Sequence, residues 1–193
     1  MTARRRRATK RRGANTSGLW WALAAVVIVA ALVTGARVLR WPRPPAGPRA
    51  GIEVFFVRYS EGGRTGALVT VRRPATPGPV DVRVAAALRE LLAGPSAEER
   101  GRGIVSEIPP GTGLRSVHVH GSTATIDLTA AFANGGGSTS MLARLWQVVY
   151  TATQTSGIHA VQILIGGRHE QALGGEGVAI DRPIERPASM PVL

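Results

Sequence analysis

The sequence predicts an α+β fold: a mixed β-sheet with two helices packed mainly on one face, in the order β-β-α-β-β-α-β, preceded by one transmembrane helix. Three observations carry this expectation. Two segments, within 81–92 and 142–152, place apolar residues at helical spacing. Segments 51–59, 67–72, 114–128 and 161–165 are rich in β-branched or alternating residues and are bounded by Gly or Pro. Gly18 to Ala36 runs for 19 residues without a charge.

The apolar run, GLWWALAAVVIVAALVTGA, spans about 28 Å as a helix, close to the roughly 30 Å hydrocarbon core of a bilayer. Trp20 and Trp21 stand at one end and Trp41 just beyond the other, as interfacial aromatics do. Arg4 to Arg7, Lys10, Arg11 and Arg12 precede it, so the positive-inside rule keeps the N-terminus in the cytoplasm and exports everything from Gly51. The expected organisation is a basic cytoplasmic tail (1–17), a signal-anchor helix (18–39), a proline-rich linker (40–50), an extracytoplasmic domain (51–186) and a flexible tail (187–193). The expected location is the cytoplasmic membrane, crossed once. A cleaved signal peptide, with Thr34 and Ala36 about the cut, is the alternative, and it also exports the domain.

Net charge is a poor guide until it is located. The chain carries a formal +12, but eleven of its 24 basic residues precede Gly51, leaving thirteen against all twelve acidic ones. A basic tail beside a near-neutral domain, with no aromatic-basic platform, points to membrane topology and not to nucleic acid. The absence of cysteine excludes disulfides, thiol nucleophiles, cysteine-ligated metals and lipidation at a lipobox.

Within the domain, Gly51–Tyr59 reads as a strand, Glu61-Gly62-Gly63 as a turn and Ala67–Arg72 as its partner. Asp81 is the expected N-cap of a helix whose stripe is Val84, Ala87, Leu88, Leu91 and Leu92. Gly94-Pro95 ends it, and residues 96–113 read as loop. Leu114–Leu128 predicts a hairpin turning at Gly121-Ser122, with His120 opposite Thr123, Val119 opposite Ala124, His118 opposite Thr125 and Val117 opposite Ile126. Apolar then faces apolar, and polar faces polar. Asn134–Ser138 is a glycine-rich connector. A second helix follows, capped by Ser138, Thr139 or Ser140, striped by Leu142, Leu145, Trp146, Val149 and Ala152, and stopped by Gly157. Val161–Ile165 is the last strand.

Several short motifs now stand in order. They are Leu88–Leu92 with Ala93-Gly94-Pro95, Ile108-Pro109-Pro110-Gly111-Thr112, Ala124-Thr125-Ile126-Asp127-Leu128, Val149-Tyr150-Thr151, and Val161–Gly167 with Gly174-Gly175-Glu176-Gly177. Together they resemble the GerMN domain, the sporulation and spore germination domain, over about residues 52–186. The resemblance implies an extracytoplasmic domain of membrane-anchored bacterial proteins or lipoproteins, without established enzymatic activity. It implies spore-envelope assembly in endospore formers, where the domain is similar to ring-building motifs of secretion-like complexes, or a place beside a sensor kinase in an actinobacterial lipoprotein. This chain differs in having one such domain where the spore protein has two in tandem, and in lacking a lipobox.

The chemistry-bearing residues are sparse. His118 and His120 point to one face of a strand, and with Asp127 across the hairpin they form a weak metal-ligand set. A solvated polar face is the simpler reading, since Ser116, Thr123 and Thr125 share it. Ser106, Ser116 and Ser122 sit in no nucleophile motif. Glu107, Asp127, Glu176 and Asp181 would have to converge to hydrolyse a glycan. Gly174-Gly175-Glu176-Gly177 lacks the lysine of a phosphate loop. No catalytic residue, metal or cofactor is therefore assigned.

Phe55 and Val57 point opposite to Val54 and Phe56, and Leu164 opposite to Ile163 and Ile165. With helices on one face only, Phe55, Val57 and Leu164 form an apolar partner surface, unless residues 96–113 or the C-terminal segment cover it. The expected function is a non-enzymatic interaction module whose partner is another envelope or membrane protein, or a second copy. The alternatives are a cell-wall glycan-binding or hydrolytic protein and an accessory subunit of an envelope signalling complex.

Overall fold

A computed structural model of the protein describes residues 51–63, 65–174 and 177–193. The expected tail, anchor and linker lie outside these residues. Among the described residues no helix is long and apolar enough to cross a membrane.

Strands β1 (Gly51–Tyr59) and β2 (Gly66–Pro74) pair antiparallel along their whole length, from Gly51 opposite Pro74 to Tyr59 opposite Gly66. Gly62 and Gly63 make the reversal at φ of 91° and 68°, a region that side chains with a Cβ disfavour. A short β3 (Ile104–Val105) adds to the other side of β1 at Val57 and Arg58. The remaining strands form a separate sheet, β4 (Leu114–His120), β5 (Thr123–Leu128), β6 (Ala160–Ile165) and β7 (Ile184–Glu185), in that order. The β4–β5 hairpin has the register that alternation requires, Val117 opposite Ile126 through His120 opposite Thr123. An irregularity lies between Leu114 and Ser116. Strands β5 and β6 run parallel, joined through helix α3 (Ser138–Ala152). Helices α1 (Val80–Leu92) and α2 (Ala97–Gly101) precede β3.

The fold is α+β as expected, but it has two sheets where the sequence reading expects one. The reason lies in β1. Val54 and Phe56 enter the main core with Val84, Leu88 and Leu91 of α1, Ile126 of β5 and Ile163 of β6. Phe55 and Val57 enter a second cluster with Leu68 of β2 and Ala143 and Tyr150 of α3. A strand apolar on both sides needs cover on both, and burying each such side chain contributes roughly 1.5–3 kcal/mol. Helix α3 supplies the second cover.

Smaller departures have local causes. Pro79, not Asp81, is the N-cap of α1, and Asp81 instead places its charge in the first turn, where helix N–H groups favour it. Residues 96–113 are not all loop. Ser96 accepts from the Glu99 N–H while Glu99 accepts from the Ser96 N–H, a capping box that starts α2. Helix α3 has Gly137 as N-cap with no side-chain cap, and it ends at Thr153, before Gly157. The segment expected as a free tail is tied down. Tyr150 Oη donates to the carbonyls of Pro187 and Ser189, and Leu193 exchanges two main-chain hydrogen bonds with Gly66.

Candidate functional site

Helix α3 runs along the edge of β1 that β3 leaves open, and its side chains act as the missing strand. The Phe55 N–H donates to Thr151 Oγ1 at 3.1 Å, and Gln147 Nε2 donates to the Phe55 carbonyl at 3.2 Å. Gln147 and Thr151 are 0% exposed. Gln147 Oε1 also accepts from the Glu107 N–H. The Glu107 carboxylate accepts from Tyr59 Oη at 2.7 Å and Ser140 Oγ at 2.6 Å. Burial, with the adjoining Glu107 hydrogen bond and charge, pushes the Tyr59 phenol up to about 12. Ser140 in turn accepts from Arg144, whose guanidinium also donates to the carbonyls of Phe132, Asn134 and Gly135. The glycine-rich connector is thus clamped from inside by α3. Apart from Arg144 Nε, which is buried without a partner, the polar groups of this network are engaged within the chain, which makes it scaffold.

This geometry decides the fate of the expected surface residues. Phe55 and Val57 are both 0% exposed, so they present nothing to a partner. Tyr150 packs against Phe55 with the rings tilted by 54° and 5.3 Å between centroids, and Arg186 lies 4.4 Å above the Tyr150 ring. The sequence reading fails here because α3 covers the side of β1 that it leaves bare. Leu164 remains half-buried on β6. Its register partner Asp127 accepts from Arg115 Nε and from the Gly167 N–H, both at 2.8 Å.

His118 and His120 are exposed on β4, on the outer face of the four-stranded sheet. Among the described residues no three His, Asp or Glu side chains gather in a metal-binding group. Glu107 and Asp127 share no hydrogen-bond partner, Asp181 is exposed, and Glu176 lies outside the described residues. Glu107 and Asp127 are thus each held by donors of their own.

The outermost strand β4 is the feature that faces outward. Six of its seven residues pair with β5 on one side, Arg115 falling at the irregularity, and the sheet order leaves the other side without a strand among the described residues. Val117 and Val119 pack inward while His118 and His120 project to solvent. An edge strand of this length is a template for an added strand. The edge of β1 beyond β3 is occupied by α3, and the start of β2 is met by Leu193.

Comparison with known proteins assigns the domain. The family described as Germane, sporulation and spore germination, matches residues 53–171, more than half of the chain. The chain belongs to the GerMN family. No curated protein matches it in sequence. Solved structures share its fold. The first GerMN domain of the sporulation protein GerM from Bacillus subtilis is 24% identical, with a TM-score of 0.56, over 71% of this chain and 98% of that one. The tandem GerMN domains of the same protein give 20% identity and a TM-score of 0.58, over 72% of this chain and 46% of that one. A putative lipoprotein from Clostridium perfringens gives 19% identity and a TM-score of 0.52, over 70% of this chain and 87% of that one. In this GerMN domain, two of the motifs that carry the resemblance meet. Gly94 and Pro95 face Ile108, Pro109 and Pro110 across a groove of about 350 Å³, with Val105 of β3 at its side.

Proposed function

We propose that this chain is a non-enzymatic assembly module of the bacterial cell envelope, held to the cytoplasmic membrane by its N-terminal apolar segment and acting in spore formation or germination. It docks onto another envelope protein, or a second copy of itself, through the β4 edge and the outer face beside it. The observation that carries this reading is the seven-residue edge strand left without a second strand partner among the described residues while α3 occupies the edge of β1. An added strand would gain main-chain hydrogen bonds along β4, and His118 and His120 would select its side chains. The non-enzymatic part is supported by Glu107 and Asp127, each of which is held by donors within the fold.

The test is site-specific photocrosslinking in cells. A photoreactive residue at position 118 or 120 of the full-length chain should capture an envelope protein or give a ladder of self-adducts. The same residue at the exposed position 89, on α1, should not. Monomer alone from all three positions would end the edge-docking reading. Turnover of purified cell-wall glycan by the protein would end the non-enzymatic one.

A further inference from the structure

A cavity of about 240 Å³ lies where the start of β1, the β2–α1 connection and the chain after α3 come together. Its polar lining is Thr76, Arg83, Gln154, Thr155 and Ser156, with Gly51 and Ile52 at one side, and no Asp or Glu lines it. Arg83 Nε is fully buried and has no hydrogen-bond partner. Thr155, only 8% exposed, uses its main chain on Ala152 and Ile158, while its hydroxyl has no partner among the described residues. Thr76 and Ser156 are exposed and Gln154 is half-buried, so their side chains are open to the cavity's solvent. Buried donors are nearly always met, and an unmet one costs about 1–3 kcal/mol. Among the described lining residues the buried, unmet donor is Arg83 Nε; the exposed Thr76 and Ser156 and the half-buried Gln154 bring further donors to the same space, and no carboxylate lines it.

We propose that this cavity is a binding site for a phosphate-class oxyanion. A guanidinium pairs with such an anion through two parallel N–H donors. Five donor-bearing side chains on one cavity lining suit a tetrahedral anion with four oxygens better than a flat carboxylate with two. The volume falls below the roughly 300–1,000 Å³ of pockets for drug-sized ligands, so the site takes an anion with a small substituent at most. Two sources present this chemistry: a free phosphate or phosphomonoester, and the phosphodiester headgroup of a lipid. Gly51 lines the cavity and follows directly on the proline-rich stretch after the apolar segment, which brings the lipid source into consideration. The site is separate from β4 and is independent of the docking reading.

The test titrates the full-length protein, solubilised in a maltoside detergent that carries no phosphate, with inorganic phosphate and with glycerol 3-phosphate at constant ionic strength. Calorimetry should show saturable binding of one anion per chain. R83Q should weaken it at least tenfold, and R83K should recover part of the loss. S156A, at an exposed position, removes one donor with the least risk to folding and should weaken binding several-fold. Circular dichroism of each variant checks that the domain remains folded. Repeating the titration in phosphatidylglycerol nanodiscs separates the sources. Apparent affinity for soluble phosphate should drop at least tenfold if lipid headgroups fill the site, and stay unchanged if free phosphate is the ligand. No saturable binding in detergent, or equal binding by wild type, R83Q and S156A, would overturn the proposal.

Discussion

Arg144 is 2% exposed, and burial holds its pKa below the ordinary arginine value against the opposing pull of Glu107. A buried cation persists only when its hydrogen bonds are made. Replacing it with methionine keeps the bulk but strands the carbonyls of Phe132, Asn134 and Gly135. Arg144→Met should lose about 2–3 kcal/mol in urea unfolding. Gly136→Ala should destabilise through the same contact, because a Cβ there would lie 2.5 Å from Arg144 Nη2 on a backbone at φ +85°. Gln147→Leu should cost about 1–3 kcal/mol, since it unpairs the Phe55 carbonyl and the Glu107 N–H together. None of this was legible in the sequence. Arg144, Gln147 and Thr151 recur at i, i+3 and i+7, and a polar stripe of that spacing reads the same whether it meets solvent or a strand edge. His118 and His120 were legible as an exposed polar pair because their neighbours alternate with them.

At the scale of elements, the hairpin of β4 and β5 followed from alternation and a two-residue turn, since a slip by one residue would have turned every valine outward. Helix α2 was legible too, in Ser96 and Glu99, yet the reading passed over it because five residues carry no periodicity. Ser96→Ala should cost about 1 kcal/mol by removing that cap. Glu99 also binds Arg73 of β2 through two hydrogen bonds of 2.7 Å, fastening α2 to the three-stranded sheet. That pairing, with further help from Ser96, brings the Glu99 carboxyl down to about 2. A carboxyl depressed on folding contributes its full stability above the unfolded value of about 4.3 and loses it as pH falls toward the folded one. Between pH 4.5 and 2 the urea midpoint of wild type should therefore fall more steeply than that of Glu99→Gln, while above pH 5 the variant should be the less stable.

At the scale of the whole domain, the run Val54-Phe55-Phe56-Val57 announced a strand buried on both sides, and that signal argued against the single-faced sheet drawn from helix counting. The long-range partner of its second side, Tyr150, lies beyond what periodicity can name. The C-terminal segment closes over that partner. Tyr150→Phe removes the hydroxyl that donates to Pro187 and Ser189 and should cost about 0.5–1.5 kcal/mol. Limited proteolysis with elastase should then cut after the exposed Ala188 faster than in wild type.

The location of the unpaired edges also sets the symmetry that any self-assembly can have. Among the described residues the long outer strands are β4 in one sheet and β2 in the other, with β2 touched by Leu193 only at its start. Two copies meeting β4 to β4 would be related by a two-fold axis, and growth would stop at the dimer. A copy offering β4 to the β2 of its neighbour would leave a fresh edge at each end, and repetition would give a ring or an open filament according to the angle of each step. Crosslinks within β4 alone, or between β4 and β2, therefore tell a closed pair from a polymer before any particle is imaged.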